Sequence, residues 1–240
     1  VKGKPGAAQG FREKLGTFLN YCVDRGHLHA SPMAGYRKPR KTRAERLGQP
    51  RLTYTGPEAL AALWKALGAA RDPIFRDLLR FALLTGQRRG EIAQMQWSDV
   101  EIHDEETGIW HLPASLRKTG DAMSVPLGPL SVAILKAQPR QAGETLVFPS
   151  RKTGRPISGW GQRLDTVRAA LGEPTFGLHA LRRSYRSGLT DLGVDPDTAE
   201  LMIGHKRPGL IGVYDKSSVW DRRVEAQRLW ENNMAELTGP

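Results

Sequence analysis

The spacing of apolar residues changes twice along this chain, and those changes limit the folds available to it. Before Trp97, apolar residues recur every three or four positions, as in amphipathic helices. From Trp97 to Leu127 three short segments, DVEIH, GIWHLP and MSVPL, are rich in β-branched or aromatic residues and are separated by the turn sequences EETG and KTGD. Helical spacing then returns. We predict a mainly α fold with a small three-stranded antiparallel sheet.

The same spacing predicts where individual helices begin and end. A first amphipathic helix is predicted over Phe11–Gly26. Thr55 to Glu58 resembles a capping box, which would start a helix that runs to about Ala70. Another helix is predicted over Pro73–Leu84, and Arg88 begins the next. The remaining predicted helices are Pro129–Ala137, Ile157–Leu171, Leu178–Leu192, Asp195–Ile203 and about Trp220–Leu237.

Prolines at positions 32, 39 and 50 predict an interruption between two regions. We interpret residues 1–30 as a short helical region, 31–51 as a linker and 52–240 as one domain. A single amphipathic helix cannot bury its own apolar face, so the first region needs a packing partner. Because the chain begins with valine rather than methionine, we expect it to be part of a longer protein.

Positive charge is concentrated at the start of the chain. Residues 1–51 contain 12 lysines and arginines against three acidic residues, a net charge of +9, whereas the whole chain carries +11. Such a segment is either a solvated linker or a strap that binds a polyanion, because releasing condensed counterions contributes much of the nonspecific affinity for DNA. The candidate DNA-binding residues of this basic strap are Arg37, Lys38, Arg40, Lys41 and Arg43.

Several functional classes are disfavoured by the sequence. No apolar run approaches the roughly 18 residues of a membrane span, and the first residues lack the apolar centre of a signal peptide. The single cysteine, Cys22, can form no internal disulfide, and the histidines match no metal-ligand motif such as HExxH. We therefore expect a cytoplasmic protein without a metal centre.

Four motifs carry side chains suited to phosphate chemistry: TGQRRGE, LRKTGDAMSVPL, HALRR and IGHKRPGLIGVY. His179 and Arg182 are three residues apart on a predicted helix, so they share a face. Arg88 would present a planar guanidinium to two phosphate oxygens, a geometry that lysine cannot supply. The candidate site residues are Arg88, Glu91, Lys118, His179, Arg182, His205 and Tyr214.

Each motif also has an ordinary explanation when it is taken alone. A single HxxR match is expected by chance in a chain this rich in arginine, and Arg88 with Glu91 would also suit a surface helix pair. The order and context of the motifs favour the phosphate site: an arginine after a helix–turn, a lysine in a hairpin, HxxR on a helix, and then Gly-His and a tyrosine.

These motifs, in this order, resemble those of the tyrosine recombinases, the integrase family of phages and mobile elements. The resemblance covers about residues 52–235 and implies the family's catalytic fold, with residues 1–30 similar to the end of its helical core-binding domain. It implies that Arg88 and Arg182 clamp the scissile phosphate and that Tyr214 attacks it. It also implies that Lys118 is the general acid, His179 assists proton transfer, His205 hydrogen-bonds the phosphate and Glu91 has a supporting role.

The resemblance further implies site-specific cutting and rejoining of DNA through a 3′-phosphotyrosine, with no ATP, metal or other cofactor. The implied partners are double-stranded DNA, three further copies of the chain on two duplexes, and DNA-bending accessory factors, in a bacterial or phage-infected cell. Two departures from the family pattern remove no catalytic group: Gln87 replaces a common apolar residue, and Ile203 a usual leucine.

Two other functions remain open at this stage. A type IB topoisomerase uses similar residues, although lysine usually replaces the histidine of HxxR there; a DNA-binding protein without catalysis would use only the basic surface. The predicted last helix, apolar at Val219, Val224, Leu229 and Trp230, would pack either on a neighbouring copy or on its own domain.

Overall fold

The computed structural model describes residues 5–36, 51–117, 119–140, 143, 145–205 and 216–239. The chain separates into two compact units, Val1–Pro50 and Arg51–Pro240. The basic strap lies outside the described residues, as do Lys118 and Tyr214. None of the described helices has both the length and the apolar character that crossing a bilayer requires.

The described part of the first unit is built on one helix, α1 (Pro5–Asp24). The predicted helix is therefore confirmed, and it begins six residues earlier than predicted. Gly26 follows its C-terminus with a φ of 72°, a left-handed conformation that glycine adopts without strain. Phe11 and Phe18 on α1 are exposed.

The second unit is mainly helical. Asp72 accepts a hydrogen bond from the Ile74 amide (3.2 Å) and so caps the helix that begins at Pro73, and Asp195 caps the helix that begins at Pro196 by accepting from the amides of Asp197 and Thr198. Its helices are α2 (Pro57–Leu67), α3 (Pro73–Thr85), α4 (Arg89–Ile92), α5 (Pro129–Lys136), α6 (Trp160–Arg163), α7 (Asp165–Leu171), α8 (His179–Asp191), α9 (Pro196–Met202) and α10 (Lys216–Thr238).

The predicted capping box at the start of α2 is wrong. The N-cap residue is Gly56, with no side-chain hydrogen bond, and Pro57 occupies the first helical position. Glu58 is therefore the second helical residue, one short of the third position that a capping box requires. Pro57 accounts for the start of α2 without a capping box, because the first helical position makes no intrahelical N–H bond and so tolerates proline.

The predicted three-stranded antiparallel sheet is confirmed. Its strands are β1 (Val100–Ile102), β2 (Gly108–Leu112) and β3 (Met123–Leu127), in the order β1-β2-β3. Trp110 pairs with Val125, and both side chains are buried on the core face. Phe81 of α3 packs against Trp110 and Phe148, with ring centroids 6.0 and 5.5 Å apart. The sheet thus contacts α3 through Phe81, in the half of the helix that precedes Arg88.

Helix α10 packs on its own domain, against α2, α8, α9 and β3. Its buried face carries Ala226, Trp230 and Met234, whereas Val224 is 40% exposed. The Trp230 ring lies against Gly188 of α8, where an added Cβ would come within 2.2 Å of Cζ3. It also meets the Tyr185 ring edge-to-face at 5.5 Å. Of the two arrangements considered for this helix, packing on a neighbouring copy or on its own domain, the structure shows the second.

Candidate active site

The site begins where α3 ends. Gly86 adopts a left-handed conformation with φ of 64°, and its amide closes the helix by donating to Ala82 O at 3.0 Å. An added Cβ at Gly86 would lie 2.2 Å from Cδ1 of Tyr185, so the backbone runs directly over that ring. This turn directs Gln87 inward and brings Arg88 to the start of α4.

Glu91 holds Arg88 at two points. Its carboxylate accepts from the Arg88 amide at 2.9 Å and from Nη1 of the Arg88 guanidinium at 3.0 Å. Glu91 is buried, whereas the Arg88 side chain remains about one-third exposed at 32%. Because one edge of the guanidinium is fixed by a buried carboxylate, the rest of the group is pre-oriented toward the cleft.

Arg182 is a buried cation held by backbone carbonyls. Its Nη1 donates to Gly86 O at 2.8 Å, and Nη2 donates to Ile203 O. Burial, reinforced by the neighbouring positive charge of Arg88, lowers the pKa of Arg182 to about 10. The group is therefore still charged at neutral pH, and it carries that charge in a low-dielectric setting where it acts more strongly on an anion.

His179 starts α8 on the same side of the cleft. Burial lowers the pKa of its imidazole, and the charges of Arg183, Arg182, Arg51 and Arg88 lower it further. Each of these arginines disfavours a second positive charge. The neutral imidazole is consequently the favoured form at physiological pH, and it can accept a proton.

Four of the predicted site residues line one open cleft of about 420 Å³: Arg88, Glu91, His179 and Arg182. Leu116, at the start of the β2–β3 turn, also lines it. The cleft therefore joins the end of α3, the start of α8 and the hairpin that contains position 118. Two arginines facing one cavity provide the charge and donor geometry that an anion such as phosphate requires.

His205 occupies the adjoining turn after α9. Its Nδ1 lies 2.6 Å from Glu200 Oε2, and Oε1 of the same carboxylate accepts from Nε of Arg186 at 2.9 Å. Hydrogen bonds and charge from His205 and Arg186 outweigh the effect of burial and lower the pKa of Glu200. A carboxylate on Nδ1 orients the ring and leaves Nε2 available for another partner.

Sequence reasoning missed two side chains that bind backbone carbonyls in and beside this site. Gln87 is 3% exposed and donates to Thr85 O (2.8 Å) and Met202 O (2.9 Å). Arg117 donates to Gly204 O (3.0 Å) and Asp121 O (2.6 Å). The departure of Gln87 from the apolar pattern was the one available signal, because a polar residue in a buried turn needs partners.

Comparison with known proteins identifies the family. The model of the phage integrase family matches residues 57–219. The chain belongs to the phage integrase family. This match contains the whole cleft and confirms the family resemblance found in the motifs.

Curated relatives of this phage integrase family chain include prophage integrase IntA of Escherichia coli (strain K12), 25% identical over 226 residues, or 91% of this chain and 52% of the relative. The integrase of Escherichia phage lambda is 25% identical, and the match covers 92% of this chain and 62% of the lambda protein. Tyrosine recombinase XerC of Xanthomonas campestris pv. campestris (strain B100) is 26% identical, and the match covers 82% of this chain and 60% of XerC. The chain thus spans between about half and three-fifths of these relatives.

Solved structures show the same fold. A lambda integrase dimer bound to a COC′ core site has a TM-score of 0.58 and 20% identity, and covers 92% of this chain and 60% of that one. The integrase of mycobacterium phage Brujita has a TM-score of 0.56 at 20% identity, and the match covers 94% of this chain and 75% of the Brujita chain. The mainly α fold with a three-stranded sheet is accordingly the catalytic fold of tyrosine recombinases.

Proposed function

We propose that this chain is the catalytic part of a site-specific DNA recombinase that cuts and rejoins DNA through a 3′-phosphotyrosine. The observation that carries the proposal is the cleft at which Arg88, Arg182 and His179 meet, in a chain of the phage integrase family. Two fixed guanidiniums and a neutral imidazole suit a phosphate that develops negative charge during attack.

In this proposal Arg88 and Arg182 clamp the scissile phosphate. Glu91 fixes one edge of Arg88, and the carbonyls of Gly86 and Ile203 fix Arg182. Neither cation then has to reorganise as charge builds on the phosphate oxygens. Preorganised donors of this kind typically contribute about 10²- to 10³-fold each to rate.

Tyr214 is the proposed nucleophile and Lys118 the proposed general acid. A free phenol is only about 0.1% ionised at neutral pH, so the nucleophile needs a proton acceptor. His179 serves as that acceptor because its lowered pKa keeps the imidazole neutral. His205, oriented by Glu200, donates to a phosphate oxygen, and Lys118 protonates the leaving 5′-oxygen.

The proposed substrate is double-stranded DNA, bound partly through the basic strap, which lies within the linker of residues 31–51. Residues 1–30 would form the end of a core-binding domain and residues 52–240 the catalytic domain. Four copies would assemble on two duplexes, with accessory DNA-bending proteins, in the cytoplasm of a bacterial or phage-infected cell. The free energy of the cleaved bond would be kept in the phosphotyrosine, which the 5′-hydroxyl of a partner duplex then attacks.

A capture experiment with randomised DNA tests this proposal and selects the target sequence at the same time. The chain is incubated with a pool of duplexes that carry random sequence on both sides of a nick. Cleavage near the nick releases a short fragment, and rejoining is prevented because this fragment diffuses away. Protein-bound DNA that survives denaturation is recovered and sequenced. We expect a covalent adduct enriched in one sequence.

Tyr214→Phe should form no adduct, and Tyr21→Phe, which changes an exposed tyrosine of α1, should form as much as the wild type. Equal binding of DNA by all three proteins with no adduct would instead indicate a binding protein. Relaxation of supercoiled DNA without joining between two duplexes would indicate a topoisomerase.

A further inference from the structure

Three successive backbone carbonyls at the end of α9 each accept a hydrogen bond from a different part of the domain. Met202 O accepts from Gln87 Nε2 at 2.9 Å, Ile203 O from Arg182 Nη2, and Gly204 O from Arg117 Nη2 at 3.0 Å. The last carbonyls of a helix lack intrahelical donors and carry partial negative charge, so cationic and amide donors stabilise them. We name residues 202–204 the carbonyl row.

The contact of Arg117 with the row depends on glycine. Gly204 has a φ of 68°, and a Cβ added there would lie 2.3 Å from Arg117 Nη2 and 2.9 Å from Met123 Sδ. The other terminal nitrogen of Arg117 donates to Asp121 O at 2.6 Å, on the β2–β3 turn. One guanidinium thus joins the hairpin beside the cleft to the turn at the end of α9.

Gln87 makes the corresponding connection from the other side of the cleft. Its amide nitrogen donates to Thr85 O at 2.8 Å as well as to Met202 O, and the side chain is buried. An apolar residue of similar size would fill the same space but would donate neither bond. The turn that leads into Arg88 is thereby attached to the carbonyl row.

His205 follows the row directly. Its amide donates to Glu200 O at 3.0 Å, and its ring is held by the side chain of the same glutamate. A displacement of the carbonyl row would carry the imidazole with it. The position of His205 relative to Arg88 consequently depends on the contacts that hold the row.

We propose that Gln87 and Arg117 are positioning residues, which together with Arg182 hold the carbonyl row and so fix His205 with respect to the two arginines of the cleft. The functional part of this inference rests on the proposed recombinase activity. Both residues act through the row and not through DNA.

The holding role is tested without any DNA. Amide hydrogen exchange at His205 is measured in the wild type, Gln87→Leu, Arg117→Met and Arg117→Lys. We expect at least tenfold faster exchange in Gln87→Leu and Arg117→Met, and an intermediate rate in Arg117→Lys, which keeps the charge on a single donor nitrogen. Arg168→Met is the matched control, since Arg168 also donates to two carbonyls, Phe176 O and Gly161 O, away from the row.

If His205 exchanges in Gln87→Leu and Arg117→Met as slowly as in the wild type, the row does not depend on these side chains and the inference is wrong. Equal acceleration in Arg168→Met would mean a general loss of stability and would also overturn it. Thermal unfolding of each variant verifies that it folds.

The functional role is tested on the duplex recovered by covalent capture. We expect single-turnover cleavage to slow at least tenfold in Gln87→Leu and Arg117→Met, with the dissociation constant for DNA within twofold of the wild type. A parallel loss of affinity would assign Arg117 a direct contact with DNA, and an unchanged rate would remove the positioning role. If the wild type forms no adduct, the proposed function fails, while hydrogen exchange still decides whether these residues hold the row.

Discussion

Arg182 is the residue at which geometry and charge are hardest to separate, and a conservative substitution separates them. Lysine in its place would retain the positive charge but would offer a single nitrogen instead of the planar pair that binds Gly86 O and Ile203 O. We expect Arg182→Lys to reduce adduct formation by about 10²- to 10³-fold. The control is Arg228→Lys, because Arg228 is an exposed arginine paired with Glu225. Adduct formation within tenfold of the wild type would show that charge alone is sufficient.

The lowered pKa of His179 gives a second expectation at the residue scale. Burial and then the charge of Arg183 are the largest causes, so the titration midpoint of the imidazole should lie below the ordinary value of 6.5. Arg183→Gln removes one cation and should move the midpoint upward, because a charged imidazole is then less strongly disfavoured. NMR titration of the histidine ring measures both values. A wild-type midpoint at or above 6.5 would contradict the lowered pKa, and a midpoint above physiological pH would contradict the proposed role as a proton acceptor.

Among the elements, α10 is held by a buried carboxylate. Glu231 accepts from Gly128 N, Ser131 N and Gln227 Nε2 at 3.0, 3.0 and 2.7 Å, and burial raises its pKa in spite of these bonds. The unfolded chain therefore ionises at this position near pH 4.5 while the folded chain still resists ionisation. The contribution of Glu231 to stability is full below that pH and is lost as the pH rises through the raised pKa.

Comparison with Glu231→Gln isolates this effect, since other groups titrate alike in both proteins. We expect the difference in unfolding free energy, wild type minus variant, to fall as the pH rises above 4.5, by at most about 1.4 kcal/mol per pH unit. Denaturant unfolding at a series of pH values measures it. A difference that is constant or that increases with pH would mean that Glu231 is ionised in the folded protein at no cost.

The packing of α8 against α10 can be tested by enlarging the residue at the contact. Gly188→Ala places a methyl group against the Trp230 ring and should destabilise the domain by about 1–3 kcal/mol through overpacking. Gly161→Ala on α6 is the matched control: no heavy atom lies within 4 Å of the added carbon, so it should be neutral or stabilising by up to about 1 kcal/mol. Equal unfolding free energies for the two variants would contradict the packing.

At the scale of the whole molecule, affinity for DNA and catalysis should be separable. Replacing Arg37, Lys38, Arg40 and Lys41 with alanine should weaken binding to all sequences alike and make the dependence of log K on log salt less steep, by up to about 0.9 per lost phosphate contact. Binding assays over a range of salt concentrations measure this slope. An unchanged slope would mean that the strap is only a spacer.

Much of the fold could be predicted because it depends on local patterns. Apolar spacing gave α3 to within one residue of Pro73–Thr85, and β-rich segments gave all three strands. Helix α10 was predicted, together with the packing of Trp230, but the polar residues of its buried face were not. Buried Gln227 and Glu231 lie on that face, and only tertiary partners make their burial possible.

The cleft was less completely predictable. The spacing of His179 and Arg182 on one helix indicated that they share a face, and both line the cleft with Arg88 and Glu91. Gln87 and Arg117 could not be found in this way, because their partners are carbonyls 115 and 87 positions away. Backbone acceptors leave no signal in the identity of the residue that carries them.

The seating of a tryptophan ring on a helical glycine also constrains how sequences of this kind can diverge. Position 188 has an ordinary helical backbone, and the three atoms nearest to an added methyl all belong to the ring of residue 230, so this ring disfavours alanine there. A smaller residue at 230 would remove that effect, which makes the two positions epistatic. Among descendants that keep this packing, alanine at 188 should appear only after position 230 has already become smaller.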